Sequence, residues 1–441
     1  MNHSVSDSFP SAHRVDTRAG TRARALEVAY EVAARLADIS HVQRHVTPVP
    51  GGEGPLLANG SAGVALLMAE LAPAGAGRTE AALAHLLDAA RAHAGAGAGL
   101  FSGLAGLGFA ARAVEAVCDG RTRALTASLR RALTPAADAL ADRVLSHLAT
   151  DDAPLRSAHY DHLHGVGGLA LHLLHDADYA PDPDTLGKVV TALTRLTGRR
   201  CLNGRSLPAW AVNGNPGDDA AAVLPLGLAH GIAGTLAVLC HIQLAGHRHP
   251  GLGEAIERLA SCLVHHRRPA PTGRHTWPRH VRITHEGQAR PARPDAPLSW
   301  RYGDTGIAVA LDLAGRALKR PDLCRRAVQA ATVTVLRREH PVQRDAGLCH
   351  GWAGLLAVVD HALPSTPWAR GVADLAARHV LEQYRPEAPF CFRSDLGPSP
   401  KRHDDPGFLT GAAGIALALH AYGTQSPPHT RWPALLLLPP P

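Results

Sequence analysis

The chain has 441 residues, 46% of them hydrophobic but only 4% aromatic, with 19% charged. That apolar content excludes disorder over the whole length, and with aromatics so scarce the burial falls to alanine, leucine and valine, a mixture that favours packed helices over sheets. The net charge of +7 is spread thinly, with only short basic pairs such as Arg267-Arg268 and Arg337-Arg338, so a nucleic-acid groove is not expected.

In chain order, residues 1–20 are polar and lack an apolar signal core, which predicts a disordered terminus and a cytoplasmic location. From there a short unit recurs: Gly-x-x-Gly followed by an alanine-rich apolar run. It reads Gly60-Ser-Ala-Gly63, Gly103-Leu-Ala-Gly106, Gly165-Val-Gly-Gly168, Gly231-Ile-Ala-Gly234, Gly303-Asp-Thr-Gly306, Gly351-Trp-Ala-Gly354 and Gly411-Ala-Ala-Gly414. The first glycines lie 43, 62, 66, 72, 48 and 60 positions apart. Near-continuous apolarity after each doublet predicts an inner helix buried on most sides. The amphipathic stretches between doublets predict outer helices, among them Leu125 to Leu148, which Pro135 should break or restart, Leu186 to Leu196 and Arg320 to Arg338.

Seven such hairpins stack or close, and closure gives every inner helix a partner on both sides. The expected architecture is therefore an all-α, α/α toroid of about seven helical hairpins over residues 21–425. The first glycine should supply positive φ at each turn, and the second should let neighbouring inner helices approach closely. Proline-rich residues 200–220 and 267–298 should be loops or small β insertions on one rim, with His275 to Ile283 as a short strand. Residues 426–441 form a tail without an assigned function. No apolar run is long enough for a transmembrane helix. Seven cysteines from Cys118 to Cys391, an odd number, argue against a disulfide framework, and Cys118, Cys240, Cys262 and Cys324 read as core thiols. Most of the 28 histidines, including His265-His266, are expected on surface loops.

In a toroid the residue before each doublet stands at the mouth, where helix N-termini converge and favour anions and thiolates. Those residues are Asn59, Ser102, His164, His230, Tyr302, His350 and Thr410, with Asp161, Arg301 and Cys349 just upstream of three of them. Cys349-His350 offers a thiol and an imidazole side by side, a metal-ligand pair if a third donor joins them.

The chain at this point resembles the lanthionine synthetase C-like cyclases. The matching text is Tyr160-Asp161-His-Leu-His-Gly165, Ala229-His230-Gly231, Trp300-Arg301-Tyr302-Gly303, Leu348-Cys349-His350-Gly351 and Leu409-Thr-Gly411, over about residues 25–425. The resemblance implies an α/α toroid with seven inner helices, of the stand-alone lanthipeptide cyclase type. It implies a dehydrated precursor peptide as substrate and a lantibiotic dehydratase as partner. The implied reaction is addition of peptide Cys thiols to dehydroalanine or dehydrobutyrine, closing thioether rings on a zinc-bound thiolate. By position Cys349 and His350 match two zinc ligands, His230 the acid/base and Asp161 an aspartate near the reacting centre. Tyr302 stands at the cavity, His164 either lines it or meets solvent, and Trp352 either packs the inner helix or joins the peptide groove.

The departure is Arg301, which stands where the family has its first zinc cysteine. Arginine has no lone pair for a metal, and a cation about 4 Å from a divalent ion is repelled by roughly 8 kcal/mol at an effective dielectric of about 20. The family arginine upstream is also unmatched, with Pro297 at its position and Arg293 nearby. Three readings stay open: a substitute ligand such as Asp304, His164 or Cys391 completes a zinc site; a metal-free pocket uses Arg301; or the chain is a non-catalytic peptide-binding scaffold or partner of a dehydratase. A toroidal glycosidase would need paired cavity carboxylates and an aromatic platform, whereas Asp161 stands alone.

Overall fold

A computed structural model describes residues 15–47, 56–92, 97–150, 155–175, 183–202, 204–214, 220–269, 275–292, 299–336, 345–363, 368–394 and 403–439. Pro297 and Arg293 lie outside them. The helices are α1 (Val15–Ala37), α2 (Ile39–His45), α3 (Ser61–Leu71), α4 (Ala76–Ala92), α5 (Leu104–Glu115), α6 (Arg123–Ala149), α7 (Ser157–Tyr160), α8 (Val166–His175) and α9 (Pro183–Leu196). They continue as α10 (Ile232–Leu244), α11 (Leu252–His265), α12 (Asp304–Ala317), α13 (Pro321–Leu336), α14 (Trp352–Ala362), α15 (Ala369–Glu382) and α16 (Ala412–Thr424).

Each glycine doublet opens one inner helix: α3, α5, α8, α10, α12, α14 and α16. Each inner helix packs on the next, and α16 returns to α3, which closes the ring. The outer partners are α4, α6, α9, α11, α13 and α15, and α1 covers α16. Hydrogen bonds between the loops ahead of the helices stitch the same circle. Ala58 N donates to Phe101 O (3.1 Å), Phe101 N to Leu163 O (3.2 Å), His162 N to Ala229 O (3.1 Å) and Leu228 N to Arg301 O (3.0 Å). Ser299 Oγ then donates to Cys349 O (3.3 Å), Cys349 N to Leu409 O (2.8 Å) and Phe408 N to Leu57 O (3.1 Å).

The doublets work differently from the sequence expectation. The first glycines are mostly extended with negative φ, as at Gly231 (−139°) and Gly351 (−108°); Gly303, at +82°, takes the left-handed form. At the second glycine the nearest obstacle to an added Cβ is chiefly the chain's own loop, the carbonyl oxygen six residues earlier. Trp300 O would lie 2.5 Å from such a Cβ at Gly306, and Leu57 O 2.7 Å at Gly63. Close approach of the entering loop to the first helical turn, more than approach between helices, demands this glycine.

Two further expectations change. α6 runs unbroken through Pro135, because Pro135 and Arg131, whose carbonyl loses its partner, both face solvent, where water can replace the bond. α1 begins at Val15, inside the segment expected to be disordered, because Ala25, Val28, Ala29, Val32 and Leu36 form a buried helical stripe. Many histidines are also interior: His85, His162, His172, His241, His266 and His403 are buried. The insertions carry strands β1 (Arg199–Leu202), β2 (Arg205–Pro208), β3 (Ala220–Pro225), β4 (Arg268–Pro269), β5 (His275–Thr276), β6 (His280–Thr284) and β7 (Ala289–Pro291), so the single strand expected over His275 to Ile283 is split in two around Trp277 to Arg279. They form antiparallel sheets β1-β2, β3-β6-β7 and β4-β5.

The tail is part of the core. Trp432 and Leu435 to Leu438 are buried under the mouth, beside Phe101, Phe408 and Trp300. Three successive tail carbonyls are engaged by the inner wall: Leu435 O by His162 Nε2 (2.8 Å), Leu436 O by Trp300 Nε1 (2.7 Å) and Leu437 O by His241 Nε2 (3.2 Å). A segment with no assigned role thus floors the ring.

Candidate functional site

Residues before the doublets lie side by side along two arcs of the ring. Thr410 meets Asn59 (2.8 Å), Ser102 Oγ meets His164 Nδ1 (2.9 Å), His164 stacks 6.1 Å from His230, and His230 lies 6.2 Å from Tyr302. The Asn59–Thr410 side is a hydrogen-bonded network around Asp405, which accepts from both side chains and from Gly407 N. The reactive groups gather on the other side.

There a single chain of contacts runs across four repeats. Asp161 Oδ1 accepts from the amides of His164 (2.8 Å) and Gly165 (3.2 Å), which fixes the carboxylate at the start of α8. Its Oδ2 lies 2.7 Å from His230 Nδ1. His230 Nε2 lies 2.7 Å from Arg301 Nη2, and Arg301 Nη1 lies 3.1 Å from His350 Nε2. Guanidinium only donates, so both Nε2 atoms accept; His230 then carries its proton on Nδ1, facing Asp161. Among the described residues the buried Arg301 Nε has no hydrogen-bond partner.

The repeat spacing itself marks Asp161. Four residues ahead of the doublet stand Gly99, Gly227, Gly347 and Gly407 in other repeats. Each of these glycines abuts the residue before the next repeat's doublet: His164, Tyr302, Thr410 and Asn59 in turn. Asp161 occupies the same slot in its repeat, so its side chain meets the next such residue, His230.

Burial dominates the local acidities. The Cys349 thiol is pushed up to about 12 by burial, with Arg301 pulling the other way. The His350 imidazole is pushed down to about 4, first by burial and then by Arg301 and Arg279. Near neutrality the thiol keeps its proton and His350 is uncharged. Trp352 stands apart from this chain, stacked 4.2 Å from His379 of α15.

This donor set does not fit the zinc implied by the resemblance. Arg301 sits between the two imidazoles as a cation, and among the described residues no three His, Cys, Asp or Glu side chains gather as a metal group. The substitutes do not supply one: Asp304 accepts from Thr276 and Trp277, His164 bonds Ser102, and Cys391 feels Arg35 and Glu31 of α1.

A closed α/α toroid with a polar, histidine-lined mouth defines the class of protein. The chain belongs to the lanthionine synthetase C-like family, whose model matches residues 53–437. Among solved structures, nisin cyclase superposes with a TM-score of 0.73 at 19% identity, covering 93% of this chain and 98% of that one, a likeness of fold. An inactive variant of an alpha-1,6-mannanase of Salegentibacter sp. HEL1_6, in complex with alpha-1,6-mannotetrose, aligns at 0.45 with 10% identity over 90% of this chain and 99% of that one. No curated protein sequence matches. Among the described residues no helix is long and apolar enough to cross a membrane.

Proposed function

We propose that the chain is a lanthipeptide cyclase of dehydrated precursor peptides in which Arg301 serves as the cation of the reacting centre. The observation that carries this reading is the unbroken Asp161–His230–Arg301 chain at the mouth. An incoming peptide cysteine takes the place of the Arg301 Nη2 contact and gives its thiol proton to His230 Nε2, while Asp161 steadies the imidazolium. The thiolate sulfur bonds the β-carbon of a dehydroalanine or dehydrobutyrine, and the C=C electron pair moves to the adjoining carbonyl oxygen. Arg301 N–H groups face that developing oxyanion, and His230 returns the proton to the α-carbon. Cys349, buried and protonated, holds the wall and is not the nucleophile.

Arg301 engages both imidazoles at once, and this favours a second reading: a non-catalytic peptide-binding partner of a dehydratase. One experiment separates the two. A synthetic peptide carrying dehydroalanine and cysteine is incubated with the protein, and alkylatable thiols are counted by mass spectrometry. The cyclase loses them faster than the uncatalysed control and at unchanged peptide mass. Binding with no acceleration establishes the scaffold instead.

A further inference from the structure

The geometry points to Arg279 as the anchor of a carboxylate subsite beside the reacting centre, one that holds a free carboxylate of the bound peptide. Arg279 lies between β5 and β6, on a strap whose fixed position does not need its side chain. Thr276 Oγ1 and Trp277 N donate to Asp304 at the first residue of α12 (2.8 and 2.9 Å). The Trp277 indole donates to Leu263 O (2.6 Å), and Arg279 O accepts from Leu226 N (3.0 Å). Backbone and neighbours therefore pin the strap across two repeat loops, and the guanidinium is left over.

Among the described residues that guanidinium has no hydrogen bond or ion pair, and its Nε is buried without a partner. Its contact is with the Tyr302 ring, whose centroid is 5.6 Å from Arg279 Cζ and 5.0 Å from Arg301 Cζ. Leaving a half-buried guanidinium unpaired is costly, and a guanidinium offers a carboxylate parallel N–H donors. The surroundings favour an anion. The N-termini of α10, α12 and α14 open onto this side of the mouth, and the charged neighbours acting on His350 are Arg301 and Arg279. Asp161 is spent on His230 and the His164 and Gly165 amides, and Asp304 on the strap.

The identity of the occupant as a peptide carboxylate rests on the peptide-substrate reading above; the subsite itself does not. The test uses the full chain with isotope-labelled histidine, following the His350 imidazole signals during titration with N-acetylglycine, N-acetylglycinamide or inorganic phosphate. Saturable shifts are expected with N-acetylglycine and not with the amide. Arg279→Gln should weaken that binding about tenfold or more, the loss of a charge-assisted pair, with Arg279→Lys retaining part of it. No saturable response, an equal response to the amide, or binding unchanged in Arg279→Gln overturns the subsite. Response to phosphate alone overturns the carboxylate assignment. None of these readouts requires thioether formation, so failure of the cyclase reading would leave the result standing.

Discussion

Arg301 places Nη2 2.7 Å from His230 Nε2, so a fixed positive charge faces the lone pair of the histidine that Asp161 orients from its other side. The imidazole is thereby held in one tautomer and one orientation, with its accepting nitrogen aimed at the cation.

Asp161→Asn keeps the shape of this arrangement and removes the carboxylate that supports an imidazolium. Thioether formation is expected to fall about 10²- to 10⁴-fold, the usual range for disabling general acid–base catalysis, with peptide affinity little changed. Rates of thiol loss and binding titrations measured on the same variant check this.

Arg301→Cys removes the guanidinium and sets a second thiol beside Cys349 and His350. The variant is expected to retain about one zinc per chain after dialysis, since three soft or borderline donors make a zinc site. Metal analysis beside the native chain is the measurement; a metal-free variant would show that these three side chains do not converge.

Acid should unfold the protein through its buried imidazoles. Burial lowers His162, His175, His350 and His361 to about 4 each, against about 6.5 in an unfolded chain. Between those values the unfolded state binds more protons, so stability is lost as pH falls from about 6.5 towards 4, by up to about 1.4 kcal/mol per pH unit per histidine. Denaturant midpoints measured across this range should drop steeply, and Arg301→Gln should raise the His350 value while leaving it below 6.5.

The floor and the loop glycines set stability. Leu436→Ala, a fully buried tail position, should cost about 2–5 kcal/mol. Gly414→Ala drives a methyl into the Phe408 carbonyl and should cost about as much as other overpacked sites, 1–3 kcal/mol or more, roughly. Gly187→Ala, in open space within α9, should instead stabilise by about 0.4–1 kcal/mol. Urea unfolding of the three variants reads all these signs.

Much of the architecture was legible because it repeats. Seven doublets, each before an apolar run, fix seven inner helices, and the residue ahead of each doublet is carried to the mouth by that periodicity; Asp161, His230, Arg301 and His350 meet there for this reason. Arg279 carried no such mark, since it sits in an irregular strap outside the repeat, and Trp352 turned outward to His379 although its neighbours face the mouth. The order of hairpins and the class of side chain at each mouth position are local properties of the chain, set by spacing and helix period. Which nitrogen faces which donor, that Arg301 bridges two imidazoles, and that Leu435 to Leu438 close the floor depend on atoms 49 to 273 residues apart in sequence. Only the closed ring brings those atoms within hydrogen-bonding distance, and hydrogen bonds are decided over fractions of an ångström.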